Sequence, residues 1–170
     1  MKLKSIKLVS AIICATMLII GCGRGANPLE KGTDKPVNQE LVASNPAMAL
    51  VERFNMGSNL EQMAIIVAKS SHTYGMVAEK HGKENAQQVV TQEIQKLLPL
   101  YQAKWNTNLA NAYAKNLSTE ELRSLATEGK NSPYANKFKQ VQNPVGEEMK
   151  KNSMPILTEL LTEAMKNAIK

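Results

Sequence analysis

Few residues in this chain have the types and spacing that chemistry requires. There are two cysteines, Cys14 and Cys22, and two histidines, His72 and His81. Cys22 follows Gly21 at the end of an apolar run, so a thiol stands beside a residue that cannot obstruct access to it. The histidines are nine positions apart. On one continuous helix that is about 2.5 turns, which puts them on nearly opposite faces. A helical metal pair needs ligands three or four positions apart. No metal site and no cofactor are therefore expected. Ser70-Ser71-His72 sets hydroxyls beside a base in sequence, but neighbours along a helix point in different directions. Ser132-Pro133 reads as a helix start. Glu120-Glu121 and Glu147-Glu148 fit the first turns of helices, where acids are favoured by the dipole. No phosphate loop, zinc pattern or nucleophile elbow is present. No catalytic residue is assigned. The one remaining constellation is aromatic: Tyr101, Trp105 and Tyr113 recur at helical spacing. Their plain reading is bundle core. A sharper one is a ligand or partner groove, completed by Met149, Met154 and Met165, since methionine surfaces adapt to partners.

Cys22 takes its meaning from what precedes it. Lys2, Lys4 and Lys7 make a basic start, and residues 8–20 are nearly all apolar. This is a signal-peptide pattern. The run is too short to span a bilayer comfortably, which takes roughly 20 residues. It ends in Leu18-Ile19-Ile20-Gly21-Cys22, which resembles the bacterial lipobox. In that resemblance Ile19 is the aliphatic residue three before the cysteine, Gly21 the small residue before the cleaved bond, and Cys22 the residue that receives lipid. The resemblance implies diacylglycerol transfer to the sulfur, cleavage after Gly21, and a membrane partner reached through covalent lipid. Several acyl chains anchor stably where one binds marginally. Gly23 stands where an Asp commonly signals inner-membrane retention, which implies the outer membrane, facing the periplasm. With Cys14 removed and Cys22 alkylated, no disulfide is expected.

Residues 23 to about 44 are polar, with Gly and Pro and little periodicity. They read as a flexible tether; about 22 residues of coil span roughly 25 Å. The expected division is thus 1–21 signal peptide, 22–44 lipidated N-terminus and linker, 45–170 helical domain. Of the formal charge of +6, Lys2, Lys4 and Lys7 carry three units, leaving +3. That excess is dispersed, and no nucleic-acid partner is expected, because such binding uses a clustered basic face.

Beyond the tether, helix signals dominate. Asn45-Pro46 is an N-cap followed by proline at the first helical position. Ser58 with Glu61, and Ser118 with Glu121, have capping-box spacing. Leu60, Met63, Ala64, Val67, Tyr74, Val77 and Ala78 read as one helix ending at Gly82. A long stripe follows from Glu84 to Lys115, with a kink or break expected at Pro99. The last region carries Phe138, Val141, Val145, Met149, Ile156, Leu160 and Ala164, with Pro144 and Pro155 expected to divide it into two or three pieces. No alternating run is long enough for a confident strand. The predicted fold class is all-α: an antiparallel bundle of about five to seven helices after a flexible tether.

The order of elements in the second half is specific enough to compare. Residues 112–122 (AYAKNLSTEEL), then Asn131-Ser132-Pro133, then a long C-terminal helix with Met and Leu, resemble the family called domain of unknown function 2059. Leu60-Glu61-Gln62-Met63 is similar to its early helix. The resemblance covers roughly residues 48–169 and implies an exported, all-helical envelope protein. It implies no catalytic residue. The leading functional expectation is a non-enzymatic, membrane-tethered helical module of the cell envelope, acting through contacts with another envelope protein. The alternative is a small-ligand or lipid-binding envelope protein, and after it an envelope hydrolase.

Overall fold

The computed structural model describes residues 28–29 and 35–170. Among these residues there are eight α-helices, two short 3₁₀ turns and no strand. The helices are α1 (Gln39–Ser44), α2 (Pro46–Arg53), α3 (Leu60–Lys69), α4 (His72–His81), α5 (Lys83–Asn116), α6 (Thr119–Glu128), α7 (Ala135–Gln140) and α8 (Gln142–Ile169). The all-α class read from sequence is correct. The number of pieces exceeds the expected range for two reasons, one in the tether and one at a pair of serines.

The first concerns residues 39–44, expected to be linker. They form α1, capped by Asn38, whose side-chain oxygen accepts from the Leu41 amide at 3.0 Å. Upstream, Leu29 is only 2 % exposed and belongs to the hydrophobic core, and Val37 packs against that core. The N-terminal segment is therefore fastened to the body well before residue 45.

The second concerns Ser70 and Ser71. Their hydroxyls donate to the Val67 and Ala68 carbonyls at 2.8 and 2.7 Å, satisfying the end of α3. Ser71 Oγ also accepts from the Tyr74 amide at 3.2 Å, which starts α4. Serines that bond locally to the backbone favour helix ends over helix interiors. The single helix expected from residue 60 to 82 is thus two.

Other helix ends follow the sequence more closely. Asn45 caps α2 through the Met48 amide. Ser118 and Glu121 form a complete capping box on α6. Gly82 and Gly129 end α4 and α6 with φ of 84° and 60°, where a side chain would be strained. The box expected at Ser58 and Glu61 does not form. A 3₁₀ turn, Met56–Asn59, runs directly into α3, and Asn59 is already helical in backbone.

The body is built on α5 and α8. Tyr101 meets Glu163, Asn108 meets Ser153, and Lys115 meets Glu148, so the two run antiparallel. Along α5, Ala86, Val90, Ile94, Leu97, Trp105, Leu109 and Tyr113 are buried. From α8, Leu157, Leu160 and Ala164 are fully covered. The remaining helices pack around this pair, α3 and α4 on both members, α2 on α5 and on α6.

Neither Pro99 nor Pro155 divides its helix. α5 is continuous through Pro99, with no break. Pro99 is exposed, so the carbonyl of Gln95, four residues back, faces water. Pro144 falls in the first turn of α8, where an amide has no helical partner anyway. Pro155 is exposed within α8. The division of the last region comes at Val141, where Gln142 Nε2 donates to the Phe138 carbonyl at 2.8 Å and closes α7.

Candidate functional site

Gly21 and Cys22, the cleavage and lipidation residues expected from sequence, lie outside the described residues. The aromatic stripe can be located. Trp105 is 1 % exposed and Tyr113 is 3 % exposed. Trp105 Nε1 donates to Asn59 Oδ1 at 3.2 Å, joining α5 to the turn before α3. Tyr113 stacks on Phe138, with centroids 5.2 Å apart and an interplanar angle of 17°. Its hydroxyl donates to Gln142 Oε1 at 3.2 Å. Burial pushes the Tyr113 phenol up to about 12, against a smaller opposing effect of that hydrogen bond. Tyr101 sits nearer the surface and donates to Glu163 Oε2 at 3.1 Å. Partial burial first, then the neighbouring Glu163 carboxylate, raises its pKa. The three rings thus serve packing between α5 and its neighbours, and Trp105 and Tyr113 line no open groove. Met149 and Met165 are buried with them.

Around Trp105 the surrounding polar groups are ordered. Gln102 Nε2 donates to the Gly57 carbonyl at 2.9 Å and to Asn106 Oδ1 at 2.8 Å. A Cβ added to Gly57 would fall 1.9 Å from Asn106 Oδ1, so a side chain there would push the Asn106 amide out of its place. Asn108 Nδ2 donates to the Asn152 carbonyl and to the buried Ser153 hydroxyl, at 3.0 and 3.1 Å. Amides of this kind hold elements together. They have no acid–base chemistry near neutral pH.

The nearest approach to an activated hydroxyl is a chain of three groups. Ser124 Oγ donates to Glu128 Oε1 at 2.7 Å and lies 2.7 Å from Ser132 Oγ. Since Ser124 spends its proton on Glu128, Ser132 donates to Ser124. The Tyr134 amide donates to Ser132 Oγ at 3.2 Å. Ser132 is 5 % exposed, so its oxygen has no room for a substrate carbonyl, and a carboxylate is a weak base toward an alcohol. The chain ties α6 to the turn before α7.

The histidines are not brought together. His72 opens α4 and is exposed. His81 Nε2 contacts the Ala168 carbonyl at 2.8 Å, and Lys80 Nζ donates to the Ile169 carbonyl at 2.6 Å. Together they close the C-terminal end of α8, where donors and cations are favoured. Among the described residues no group of three His, Cys, Asp or Glu side chains is placed to hold a metal.

Sequence reasoning missed Arg53. Its Nη1 donates to the carbonyls of Ala126 and Thr127, at 2.5 and 2.6 Å, on the last turn of α6. The guanidinium also lies 5.1 Å from the centroid of the Phe54 ring. These carbonyls are 73 and 74 positions away, and no local pattern points to them. Beside Arg53 is a cleft of about 120 Å3, bordered by Lys35, Val37, Leu41, Glu52 and Ala126.

Two ion pairs tie helices at their ends. Lys137 bonds both oxygens of Glu121 at 2.6 and 2.8 Å, and this contact holds the Glu121 carboxyl below its ordinary range. Lys115 bonds one oxygen of Glu148, Oε2, at 2.6 Å, and this contact likewise holds the Glu148 carboxyl below its ordinary range. No helix among the described residues is long and apolar enough to cross a membrane. Compared with family models, curated proteins and solved structures, the chain finds no match.

Proposed function

We propose that the chain is an envelope lipoprotein, tethered to a membrane through acyl chains on Cys22, whose helical body acts without catalysis by contacting another envelope protein. The observation that carries this reading is the run from Lys2 to Cys22: basic start, short apolar stretch, then Ile19, Gly21 and Cys22 at lipobox spacing. The all-helical body agrees with the resemblance to domain of unknown function 2059. The outer membrane, facing the periplasm, is the compartment that Gly23 favours. The second reading, binding of a small ligand or lipid, rests on the cleft beside Arg53. At about 120 Å3 it is small, since ligand pockets run to about 300–1,000 Å3.

The test is the intact mass of protein extracted from membranes, wild type beside Cys22→Ser. The expected wild-type species lacks residues 1–21 and carries acyl mass that the variant lacks. A wild-type mass that is cleaved without lipid, or not cleaved, overturns the reading. Crosslinking in intact envelopes then tests the contact role: a discrete adduct that depends on Cys22 supports it, and its absence favours the ligand reading.

A further inference from the structure

α4 is attached to the body more lightly than the other helices of its length. Of its ten residues only Val77 is buried, with Tyr74 and Ala78 partly buried against the core. The ten residues of α3 include five that are buried, and those of α6 three. The sequence of α4 does little to compensate. Gly75 lies in its interior, where glycine is the weakest helix former after proline. Thr73, Tyr74 and Val77 lose side-chain freedom in a helix. A helix this short is marginal by itself in water.

Its two ends can turn, and its last residues are held by polar contacts. Ser71, extended at φ −85° and ψ 149°, separates α4 from α3. Gly82 separates it from α5 at φ 84°, with no atom within 4 Å of where a Cβ would stand. Lys80 Nζ donates to the Ile169 carbonyl at 2.6 Å, and His81 Nε2 to the Ala168 carbonyl at 2.8 Å. Carbonyls in the last turn of a helix have no helical donor. The same two contacts therefore hold α4 down and complete the end of α8. We infer that α4 is a lid that opens as a unit about Ser71 and Gly82, and that its opening and the fraying of the last turn of α8 are one event. Segments with few buried apolar contacts open at lower free energy than the core around them. Tyr74, Val77 and Ala78 share one helix face, and α4 packs on α5 and α8. Lifting α4 thus bares the apolar strip of α5 and α8 that this face covers. The opening needs no acyl chain on Cys22 and no partner.

The experiment is hydrogen exchange on the full-length protein, read by mass spectrometry of fragments. Residues 74–81 and 166–169 are expected to exchange in step, at least about tenfold faster than residues 90–113. Gly75→Ala adds a methyl group that meets no atom within 4 Å. It should slow exchange about fivefold in residues 74–81 and equally in residues 166–169, which belong to another helix. Lys80→Ala combined with His81→Ala removes the latch and should speed both segments about tenfold. Gly75→Ala decides the matter where that double variant unfolds. Exchange of residues 74–81 in step with 90–113 overturns the lid. An end of α8 that ignores Gly75→Ala overturns the coupling, because the two openings are then separate events.

Discussion

At Tyr113 the phenol is enclosed between Phe138 and Gln142, and the consequence is measurable at alkaline pH. Its folded pKa of about 12 lies above the unfolded value near 10. The protonated form is therefore favoured in the folded state. That contribution is fully present below pH 10 and is lost as pH rises toward 12, because the unfolded chain gives up its proton first. Two units correspond to roughly 3 kcal/mol. Urea midpoints should fall between pH 10 and 12 in wild type and fall less in Tyr113→Phe; equal slopes would show that the ring is open to water. Trp105→Phe keeps an aromatic ring but leaves Asn59 Oδ1 without its donor. A loss of about 1–2 kcal/mol is expected by urea denaturation, and less than additive loss when Asn59→Ala is combined with it. The positions of both rings were legible in sequence, because residues four and eight apart share a helix face. Their polar partners were not. Asn59, Asn108 and Arg53 act on groups 44 to 74 positions away, and a short amide looks the same in sequence whether it faces water or another helix.

The elements were legible where a local rule governs them. Asn45, Ser118 and Gly129 each end or start a helix through groups within four residues. The misreadings came from the same rules applied without the third dimension. Ser58 has a capping-box partner in Glu61, yet the chain enters α3 from a 3₁₀ turn and needs no box. Pro99 kinks or breaks a helix by rule, and it does not break this one, because it stands on the solvent side of a helix of 34 residues whose other side is fixed by α8. Tertiary packing outweighs the local penalty of about 3 kcal/mol. Pro99→Ala should then give the Gln95 carbonyl a donor and stabilise the body by about 1–3 kcal/mol, read as a higher Tm. A lower Tm would show that α5 needs the bend a proline imposes.

For the whole molecule the largest difference lies before residue 45. Composition there is polar and aperiodic, and the isolated Leu29, Val37 and Val42 form no stripe a window can detect. Long-range docking decides their burial. A body beginning at Asn45 would lose the fully covered Leu29 and the nearly covered Val42. It should be less stable than one beginning at Gly23 by about 3–6 kcal/mol, measured by urea denaturation of the two soluble forms. Equal midpoints would return that segment to the role of a passive spacer. The antiparallel pairing of α5 with α8 has a consequence in time. α5 ends at Asn116, whereas the helix that covers it is complete only at Ile169. At ordinary rates of synthesis the ribosome needs roughly 3–10 s to make that interval. Throughout it the part of the α5 stripe that α8 covers has no partner, and the body cannot close. Closure of the body therefore follows synthesis and does not accompany it.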